Sequence, residues 1–429
     1  MKVYFYTLGC KVNQYDTQTL KELFLREGFT LCKPGETADV VVINTCTVTA
    51  ESDRKGRQAV GRFAQKFPQA VIAVTGCMPQ ACPQKAEKLP KAHVVVGNAS
   101  NEKLPALVKE YLQTKQPIVA VEPHQNKAVT DGLCETSFEG RTRAFVKIED
   151  GCNRFCSYCL IPYARGRVRS KPLCELEKEL TRLGENGYQE VVLAGINLTA
   201  YAPENGVDLS HAVALAQTNP NIKRIRLGSM EPDQFTPELI ENLAKNSKLC
   251  PQFHLSLQSG SDRVLARMNR HYTTEFYAEV IGQLRAVFPD CAITTDVMCG
   301  FPGETDEEFE ETLAFMKKIG FAKVHPFIYS PREGTPAAAM KQVDPKVKKQ
   351  RMERLMETAK QGADAFMNAL LGQTIPVLLE QKKADGLWEG HTPSYVPVGV
   401  AADGVCPGQI VLVTLTKRDE ERCIGQLYQ

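Results

Sequence analysis

Three cysteines in the middle of the chain have the spacing of cluster ligands. Cys152, Cys156 and Cys159 lie in one short segment, GCNRFCSYCLIPYARGR. Three thiolates in one loop can bind three irons of a cubane 4Fe-4S cluster, which leaves the fourth iron open to a substrate group. Zinc is the alternative metal, but it takes four ligands, and no second pair of Cys or His residues lies nearby. The spacing therefore favours an iron–sulfur site.

Three further cysteines each follow a strand-like run, as TLG-Cys10, INT-Cys46 and VTG-Cys77. In a parallel sheet the carboxyl ends of neighbouring strands meet at one edge, where such sheets bind ligands. One buried cysteine would be unremarkable, because free Cys behaves as a small hydrophobe. Three at equivalent strand ends predict a second cluster site, again with an open iron. The other nine, which lack ligand spacing, are interpreted as ordinary thiols: Cys32, Cys82, Cys134, Cys174, Cys250, Cys291, Cys299, Cys406 and Cys423.

The overall composition restricts the class of protein. The chain has 429 residues, 52 Lys and Arg against 50 Asp and Glu, and 15 cysteines. This length predicts two to four domains, and the near-neutral charge means that any nucleic-acid site must be a local patch. A disulfide framework is disfavoured, because it needs an oxidising compartment and usually a small chain. With no apolar run long enough for a signal peptide or membrane span, we expect a cytoplasmic protein.

The elements that would position these cysteines begin with a predicted N-terminal domain, residues 1–120. Continuous apolar strands alternate there with helical patterns, which indicates a parallel sheet covered on both faces. The strands are predicted at 3–8, 39–45, 70–76 and 93–97, and the helices at 15–28, 51–67 and 101–114. A polar connector at 122–140 is the predicted linker.

Two further domains complete the predicted α/β fold. Residues 138–368 repeat the strand–helix alternation six times, which predicts a partial (β/α)6 barrel with its chemistry at the carboxyl ends of the strands. Residues 371–429 contain short strands joined by Gly- and Pro-containing turns, which predicts a small antiparallel β-barrel. The six barrel strands are predicted at 143–149, 189–195, 222–229, 252–259, 291–298 and 323–330.

The central cysteine loop, with the aromatic Tyr158 before its last cysteine and a βα barrel behind it, resembles the radical S-adenosylmethionine superfamily. The resemblance implies a 4Fe-4S cluster on Cys152, Cys156 and Cys159 whose open iron binds the amino and carboxylate groups of S-adenosylmethionine. One electron from the cluster would then cleave the sulfonium to methionine and a 5′-deoxyadenosyl radical that abstracts a hydrogen atom.

The segments TLGCKVNQYD, INTCTVT and TGCMPQ resemble the N-terminal domain of the methylthiotransferases, and the match continues in order to the chain end. It implies an auxiliary 4Fe-4S cluster on Cys10, Cys46 and Cys77, and a C-terminal barrel similar to the RNA-binding TRAM domain. GCKVNQYDT and IPYARGRVRS most resemble the branch that acts on threonylcarbamoyladenosine. That branch adds a methylthio group to carbon 2 of N6-threonylcarbamoyladenosine at tRNA position 37, using one S-adenosylmethionine for methylation and another for the radical.

The expected contacts to S-adenosylmethionine include one departure from the superfamily. The second barrel strand ends in AGIN, where many radical enzymes have Gly-Gly-Glu, so Asn197 cannot supply the carboxylate and Glu231 is our candidate. For Gln258 and Asp296, a satisfied polar layer of the barrel is the alternative interpretation. The full set of expected cofactor contacts is Tyr158, Asn197, Glu231, Gln258, Ser259, Asp296 and Tyr329.

Basic residues are concentrated beside the central cysteines. The stretch from 151 to 171 has five basic residues and no acid. Arg165, Arg167 and Arg169 are therefore candidate substrate contacts, either to tRNA phosphates or, as bidentate donors, to the threonyl carboxylate. In the C-terminal barrel, Trp388 and Tyr395 are candidates for stacking on bases, although a lone Trp in a small barrel is more often part of the core.

Two other functions stay open. A sister enzyme would act on isopentenyladenosine in tRNA or on a ribosomal protein, but the residues around Cys10 argue against it. A non-catalytic iron–sulfur RNA-binding protein would need closed four-ligand sites, whereas each motif offers three cysteines. The expected partners are the anticodon loop of tRNA and an electron donor such as flavodoxin or ferredoxin, with no membrane.

Overall fold

The computed structural model describes residues 1–124 and 142–428. Cys134, most of the predicted linker and the predicted boundary at 138 lie outside the described residues. The described chain forms two compact units, which cut across the three predicted domains, so those boundaries stay a prediction. The first unit lies within Met1–Glu135, Lys147–Pro172 and Ser330–Ala339, and the second within Thr136–Val146, Leu173–Tyr329 and Met340–Gln429.

The first unit is built on a six-stranded parallel sheet with the strand order β2-β1-β3-β4-β5-β6. Its strands are β1 (Lys2–Thr7), β2 (Thr30–Leu31), β3 (Val40–Thr45), β4 (Val71–Gly76), β5 (Val94–Val96) and β6 (Ile118–Ala120). Its helices are α1 (Lys11–Arg26), α2 (Ala50–Lys66), α3 (Cys77–Ala81), α4 (Pro83–Ala86) and α5 (Leu104–Thr114). The predicted parallel sheet is confirmed.

Both faces of this sheet are covered, because the side chains on both sides of its central strands are mostly apolar. Val41 and Ile43 face a core that includes Phe63 of α2. Val40 and Val42 point to the opposite face and pack with residues of α1 and α5. Successive side chains of a strand alternate between faces, so a continuous apolar run needs helices on both sides.

The segment that contains the central cysteines is irregular and is held by short elements. After β7 (Arg143–Lys147), the chain forms β8 (Glu149–Asp150), α6 (Ile161–Arg165) and β9 (Arg169–Ser170). β8 and β9 pair antiparallel, with Asp150 opposite Arg169. This ribbon closes the cysteine loop at its base.

The second unit contains the remaining βα elements. Its strands form one sheet of order β11-β10-β7 and another of order β12-β13-β14-β15. The strands are β10 (Glu190–Ala194), β11 (Arg224–Leu227), β12 (Ser229–Met230), β13 (Gln252–Leu255), β14 (Ala292–Cys299) and β15 (Lys323–Ile328). The helices are α7 (Leu173–Glu185), α8 (Leu209–Thr218), α9 (Pro237–Ala244), α10 (Asp262–Arg267), α11 (Thr274–Val287) and α12 (Asp306–Ile319). The predicted βα alternation is confirmed.

A long helix, α13 (Pro345–Ala369), leads to a closed five-stranded barrel of order β16-β17-β18-β20-β19. The strands are β16 (Thr374–Lys382), β17 (Trp388–His391), β18 (Pro397–Ala401), β19 (Ile410–Asp419) and β20 (Arg422–Leu427). The predicted small barrel is confirmed, with four antiparallel strand pairs; the pair β18 and β20 differs from the prediction, because these strands run parallel. The connection after β18 crosses to β19 before β20 closes the ring. None of the helices in the described chain is long and apolar enough to cross a membrane.

A buried carboxylate joins the C-terminal barrel to the strands of the second unit. Glu190, fully buried at the start of β10, lies 2.7 Å from Nε of Arg226 and 3.5 Å from both Arg143 and Arg224. The Arg226 guanidinium also donates 2.6 Å hydrogen bonds to the carbonyls of Thr392 and Pro393. Burial alone would raise the pKa of Glu190, but the three arginines lower it. One ion cluster therefore fixes the barrel in place.

We expect Glu190→Gln to lower the free energy of unfolding by about 3 kcal/mol, because it leaves buried guanidinium groups without their counter-ion. Trp388, the single tryptophan, lies in the C-terminal barrel and reports its unfolding in urea by fluorescence. Exposed Glu177→Gln on α7 is the control. Because the pKa of Glu190 is lowered in the folded state, its stabilisation is present at neutral pH and is lost on acidification below about pH 4. Equal stability of the two variants at pH 7 would contradict the role of Glu190.

Candidate functional site

Cys10, Cys46 and Cys77 lie at the carboxyl edge of three neighbouring strands. The sheet order places β1, β3 and β4 side by side. Cys10 caps the N-terminus of α1, Cys46 directly follows β3, and Cys77 is the first residue of α3. Cys46 and Cys77 are buried, whereas Cys10 is exposed. Residues far apart in sequence are therefore gathered at one sheet edge.

Two glycines allow the chain to reach these positions. Gly9 and Gly76 directly precede Cys10 and Cys77, and both have left-handed φ values, +121° and +101°. A Cβ atom at Gly9 would lie 3.0 Å from Cβ of Cys46, and one at Gly76 would lie 2.4 Å from the carbonyl oxygen of Thr45. Only glycine combines this backbone conformation with so close an approach.

The sulfur atoms of this edge have defined polar neighbours. The amide Nδ2 of Asn98 donates to Sγ of Cys77 at 3.4 Å, and the Cys10 thiol donates to Oδ1 of Asn13 at 3.3 Å. Burial, reinforced by the nearby Cys77, raises the pKa of Cys46 to about 12, and burial also raises the pKa of Cys77. These thiols would be protonated at neutral pH, and coordination to a metal would supply the positive charge that converts them to thiolates.

The central loop brings the second set of cysteines into the same unit. Cys156 is buried, Cys152 and Cys159 are half-buried, and the backbone N–H of Ile161 donates to Sγ of Cys159 at 3.4 Å. α6 follows this loop and packs on α3, which begins at Cys77. The Asn98 amide joins the two regions directly, since it donates both to Cys77 and to the carbonyl of Ala164 in α6, at 3.2 Å.

The donor set fits an iron–sulfur cluster better than a single ion. Within residues 1–124 and 142–428, no three or more His, Cys, Asp or Glu side chains are grouped closely enough to hold one metal ion. A cubane binds each thiolate through a different iron, so its three ligands need not converge on one point. Arg165 adds a second indication, because its buried Nε–H has no hydrogen-bond partner in the described part of the chain. Such a donor suits a sulfide or thiolate acceptor.

Arg165 is the centre of a buried ion cluster in the first unit. Its side chain is 1% exposed, and its guanidinium contacts both carboxylate oxygens of Asp150 at 3.1 Å and Oδ2 of Asp16 at 2.9 Å. Lys147 binds the other oxygen of Asp16 at 2.7 Å. Burial opposes the charge of Arg165, but Asp150, Cys77, Asp16 and Cys10 together hold its pKa well above the ordinary value. This arginine, a candidate substrate contact in the sequence, is engaged inside the protein.

A segment that sequence reasoning missed also belongs to this site. The buried Arg332 donates to Oγ1 of Thr47 at 2.7 Å and to Asp53 at 2.5 Å, directly beside Cys46. Five residues later, the N–H of Ala337 donates to the carbonyl of Ser157, between Cys156 and Cys159. The segment Ser330–Ala339 therefore touches both cysteine regions. Nothing in the local sequence pattern of these residues signals that role.

In the second unit, two of the expected cofactor contacts lie after the ends of strands. Asn197 follows β10, is buried, and accepts a 3.0 Å hydrogen bond from the hydroxyl of Thr199. Glu231 follows β12 and forms a bidentate ion pair with Arg270, at 3.1 Å and 2.5 Å. The hydroxyl of Thr199 also donates to the Glu231 carbonyl at 3.3 Å, so the two positions are adjacent. Sequence reasoning missed Arg270, which fixes the carboxylate of Glu231.

Three more expected contacts lie on or after β13 and β14. Gln258 has a left-handed φ of +68°, and its N–H donates to the carbonyl of Asp296. The Asp296 carboxylate lies 3.5 Å from Nε2 of His254, a neighbour that the sequence did not single out. Ser259 is fully buried, with its hydroxyl 3.2 Å from that of Thr312 on α12. Gln258 thus lies after the end of β13 and Asp296 within β14, while Ser259 contacts a covering helix.

The two aromatic cofactor candidates lie in different units. Tyr158 is half-buried in the cysteine loop of the first unit. Tyr329, which follows β15, is buried; its ring lies edge-on to Phe301 at 5.4 Å, and Nζ of Lys348 lies 5.1 Å from the ring centre. Burial raises the pKa of Tyr329, so it is a neutral phenol at physiological pH.

The remaining substrate candidates differ in accessibility. Arg167 is exposed, with its guanidinium 4.4 Å above the ring of Phe155. Arg169 is largely buried and donates to the carbonyls of Arg165 and Arg167. In the C-terminal barrel, Trp388 packs against the core. Tyr395 is stacked on His391, and guanidinium groups of Arg143 and Arg226 lie 5.0 Å and 4.7 Å from its ring centre.

Two known families match separate parts of the chain. Residues 2–97 match the family described as "Uncharacterized protein family UPF0004", and residues 146–316 match the family described as "Radical SAM superfamily". Among solved structures, the radical S-adenosylmethionine methyltransferase TsrM from Kitasatospora setae has a TM-score of 0.57 at 14% identity, covering 79% of this chain and 77% of that one. At this identity the likeness shows the fold alone.

Curated relatives match nearly the whole chain. It is 40% identical to "Threonylcarbamoyladenosine tRNA methylthiotransferase MtaB" of Bacillus subtilis, over 97% of this chain and 94% of that protein. It is 36% identical to "tRNA-2-methylthio-N(6)-dimethylallyladenosine synthase" of Caldicellulosiruptor saccharolyticus, over 92% and 85%. Both relatives span the two units described above.

We expect Gly76→Ala to cost more than about 2 kcal/mol of unfolding free energy, because the added methyl group meets the Thr45 carbonyl and the backbone is strained. Gly28→Ala is the matched control, since Gly28 has a similar left-handed φ of +82° but no atom within 4 Å. The control should lose about 1 kcal/mol from strain alone. Urea unfolding followed by circular dichroism measures both, and equal losses would show that close packing at Cys77 is unimportant.

Proposed function

The chain belongs to the radical S-adenosylmethionine methylthiotransferase family, and we propose that it adds a methylthio group to carbon 2 of N6-threonylcarbamoyladenosine at position 37 of tRNA. The observation that carries this proposal is the presence of two three-cysteine sets in one compact unit, in a chain 40% identical to a threonylcarbamoyladenosine tRNA methylthiotransferase. The product is 2-methylthio-N6-threonylcarbamoyladenosine.

The cofactors are two 4Fe-4S clusters and S-adenosylmethionine. When bound, they supply the electron, the deoxyadenosyl radical and the sulfur that this reaction needs. We assign Cys152, Cys156 and Cys159 to the cluster that cleaves S-adenosylmethionine, and Cys10, Cys46 and Cys77 to the auxiliary cluster. The Asn98 amide links the two sites, because it contacts both Cys77 and the backbone of the helix that follows Cys159.

A radical is required because carbon 2 of adenine offers no easier route. Its hydrogen is not acidic and the carbon bears no leaving group, so acid–base chemistry does not suffice. The protein must therefore hold the hydrogen acceptor and the sulfur donor close together. The target adenosine lies in a single-stranded loop, where a base can be splayed into a pocket.

Several residues of the second unit, within or after its β-strands, are proposed to bind S-adenosylmethionine. Glu231 is oriented by Arg270, so its carboxylate is held rather than mobile and can receive the methionine ammonium. Asn197, one step away through Thr199, lies beside it. Asp296, Gln258 and the neutral phenol of Tyr329 are proposed for the ribose and adenine. The burial of Ser259 against Thr312 favours a supporting role for that hydroxyl.

Among the candidate substrate arginines, we propose Arg167 as the residue that reads the threonyl carboxylate. Arg165 is occupied by Asp16 and Asp150, and Arg169 by backbone carbonyls, whereas Arg167 is exposed. The ring of Phe155 supports the Arg167 guanidinium from one side and leaves its donor edges accessible. An isopentenyl group lacks the carboxylate that this guanidinium would bind.

The partner of the reaction is tRNA. We propose that the C-terminal barrel contributes RNA contacts and that a small flavodoxin- or ferredoxin-type protein supplies electrons in the cytoplasm. For Tyr395 we propose a mainly structural role, because two guanidinium groups already lie over its ring.

Iron content tests the ligand assignment. Anaerobically reconstituted protein should bind about eight irons per chain, and replacement of Cys10, Cys46 and Cys77 together by Ala should reduce this number to about four. Replacement of Cys32, Cys174 and Cys406, which lie outside both sets, should leave it at about eight. An unchanged iron count in the first variant would remove the auxiliary-cluster assignment.

The two clusters should differ in what they support. Ala at Cys152, Cys156 and Cys159 should abolish formation of 5′-deoxyadenosine, because cleavage of S-adenosylmethionine takes place at that site. The variant of Cys10, Cys46 and Cys77 should still form 5′-deoxyadenosine while it makes no methylthio product. Chromatography of the reaction mixture measures both products. Loss of deoxyadenosine to the same extent in the two variants would show that the assigned division is wrong.

Arg167→Gln tests the substrate. In cells that lack the gene and carry the restored protein, nucleoside mass spectrometry should find methylthio-threonylcarbamoyladenosine with the parent protein and about tenfold less with the variant, since a charge-assisted pair is lost. Exposed Arg57→Gln on α2 is the control and should behave as the parent. If the parent restores only methylthio-isopentenyladenosine, the substrate assignment is wrong, although the radical chemistry stands.

A further inference from the structure

The cysteines at the sheet edge lie beside a buried ion cluster. Arg165, Lys147 and Arg169 form ion pairs there with the carboxylates of Asp16 and Asp150. Four of these five side chains are at least 90% buried.

The Arg165 guanidinium of this cluster is close to the sulfur of Cys10. Nη2 of Arg165 lies 3.3 Å from Oδ1 of Asn13, and the same oxygen accepts the hydrogen bond of the Cys10 thiol at 3.3 Å. Arg165 also has a buried Nε–H that is unpartnered within the described residues. The Arg165 guanidinium is thus separated from the Cys10 sulfur by the side-chain amide of Asn13, and its Nε–H remains available as a donor.

Asn98 provides a direct donor on the other side of the cysteine set. Its Nδ2 contacts Sγ of Cys77 at 3.4 Å and the carbonyl oxygen of Ala164 at 3.2 Å. Both partners are acceptors when Cys77 is a thiolate, so the amide must present its NH2 group to them. The contact to the α6 backbone therefore fixes the orientation that gives Cys77 an N–H···S hydrogen bond.

Positive charge and N–H···S hydrogen bonds have the same effect on an iron–sulfur cluster. Reduction adds an electron, so groups that stabilise negative charge on sulfur favour the reduced state, and the potential of such clusters depends on these features. We propose that Asn98 and Arg165 are positioning residues that raise the reduction potential of the cluster held by Cys10, Cys46 and Cys77. This inference rests on the ligand assignment made under the proposed function.

The effect should be selective for the auxiliary cluster. Among the described residues, Asn98 contacts a cysteine sulfur only at Cys77; toward the central loop it contacts the carbonyl of Ala164, which lies beyond the last cysteine of that loop. The sulfur of Cys159 accepts a hydrogen bond from the backbone N–H of Ile161. Loss of the Asn98 amide therefore removes a donor from one cluster and not from the other.

Asn98→Leu tests the inference, because Leu has a similar size and no N–H group. The full-length protein with Cys152, Cys156 and Cys159 replaced by Ala holds only the auxiliary cluster, whose reduction is followed by electron paramagnetic resonance in a redox titration. At the midpoint potential of the Asn98 protein, the ratio of reduced to oxidised cluster should fall about tenfold in the variant, which corresponds to a shift of about 59 mV to more negative potential.

Matched variants separate this role from a structural one. Asn101→Leu, in the same 3₁₀ turn Asn98–Lys103, should leave the potential unchanged. Arg165→Gln should shift it in the same direction as Asn98→Leu, whereas Arg165→Lys, which keeps the charge, should remain near the parent value. In protein that lacks Cys10, Cys46 and Cys77, Asn98→Leu should not alter the potential of the remaining cluster.

Two results would overturn the inference and are distinguishable. The role of Asn98 is refuted, while the ligand assignment stands, if protein without the central cysteines binds iron but Asn98→Leu leaves its potential unchanged. The same holds if Asn98→Leu shifts the potential equally in that protein and in protein without Cys10, Cys46 and Cys77. If protein without the central cysteines binds no iron, the assignment of Cys10, Cys46 and Cys77 fails, and the inference fails with it.

Discussion

The first unit depends on the buried ion cluster around Arg165. A guanidinium that is 1% exposed loses nearly all of its hydration, and this cost is offset only where carboxylates surround it in good geometry. Asp16 belongs to helix α1, which packs on the parallel sheet, and Asp150 belongs to the β8–β9 ribbon at the base of the central cysteine loop. Arg165 of the loop can therefore pair with both carboxylates only when the loop packs against α1. This packing brings six cysteines from distant parts of the sequence into one unit.

The sequence predicts the sheet edge well, because strands can be predicted from short local patterns of apolar residues. The periodicity of a short apolar run does not by itself distinguish a strand from a buried helix, but the shortness and the β-branched residues of β3 and β4 favour strands. A residue that follows such a run in a parallel sheet must lie at the carboxyl edge, so the positions of Cys46 and Cys77 follow from the pattern. The glycines that permit the approach were present in the same motifs, but their need becomes visible only when Thr45 is placed against Gly76.

The partners of charged residues could not be predicted in this way. The only charged side chains from residue 151 to 171 are basic, which favours an exposed phosphate-binding surface. Arg165 nevertheless pairs with Asp150, immediately before that stretch, and with Asp16, 149 positions earlier. Arg332 likewise reaches Thr47 and Asp53 across more than 270 positions. Ion pairs of this kind have no periodicity, because they depend on which elements the fold makes neighbours. Local charge composition therefore overestimates the number of available cations.

In the second unit, the residues that stabilise the fold and the residues proposed for chemistry lie at opposite ends of the strands. Arg143, Glu190 and Arg224 are the first residues of β7, β10 and β11, and there they hold the C-terminal barrel through ion pairs and backbone carbonyls. Asn197, Glu231 and Tyr329 follow the opposite, carboxyl ends of their strands. This arrangement is general for βα barrels, in which substitutions at the carboxyl end alter chemistry and those at the amino end alter stability. The C-terminal barrel is thus anchored at the amino ends of these strands, where its attachment does not compete for space with the residues proposed to bind the cofactor.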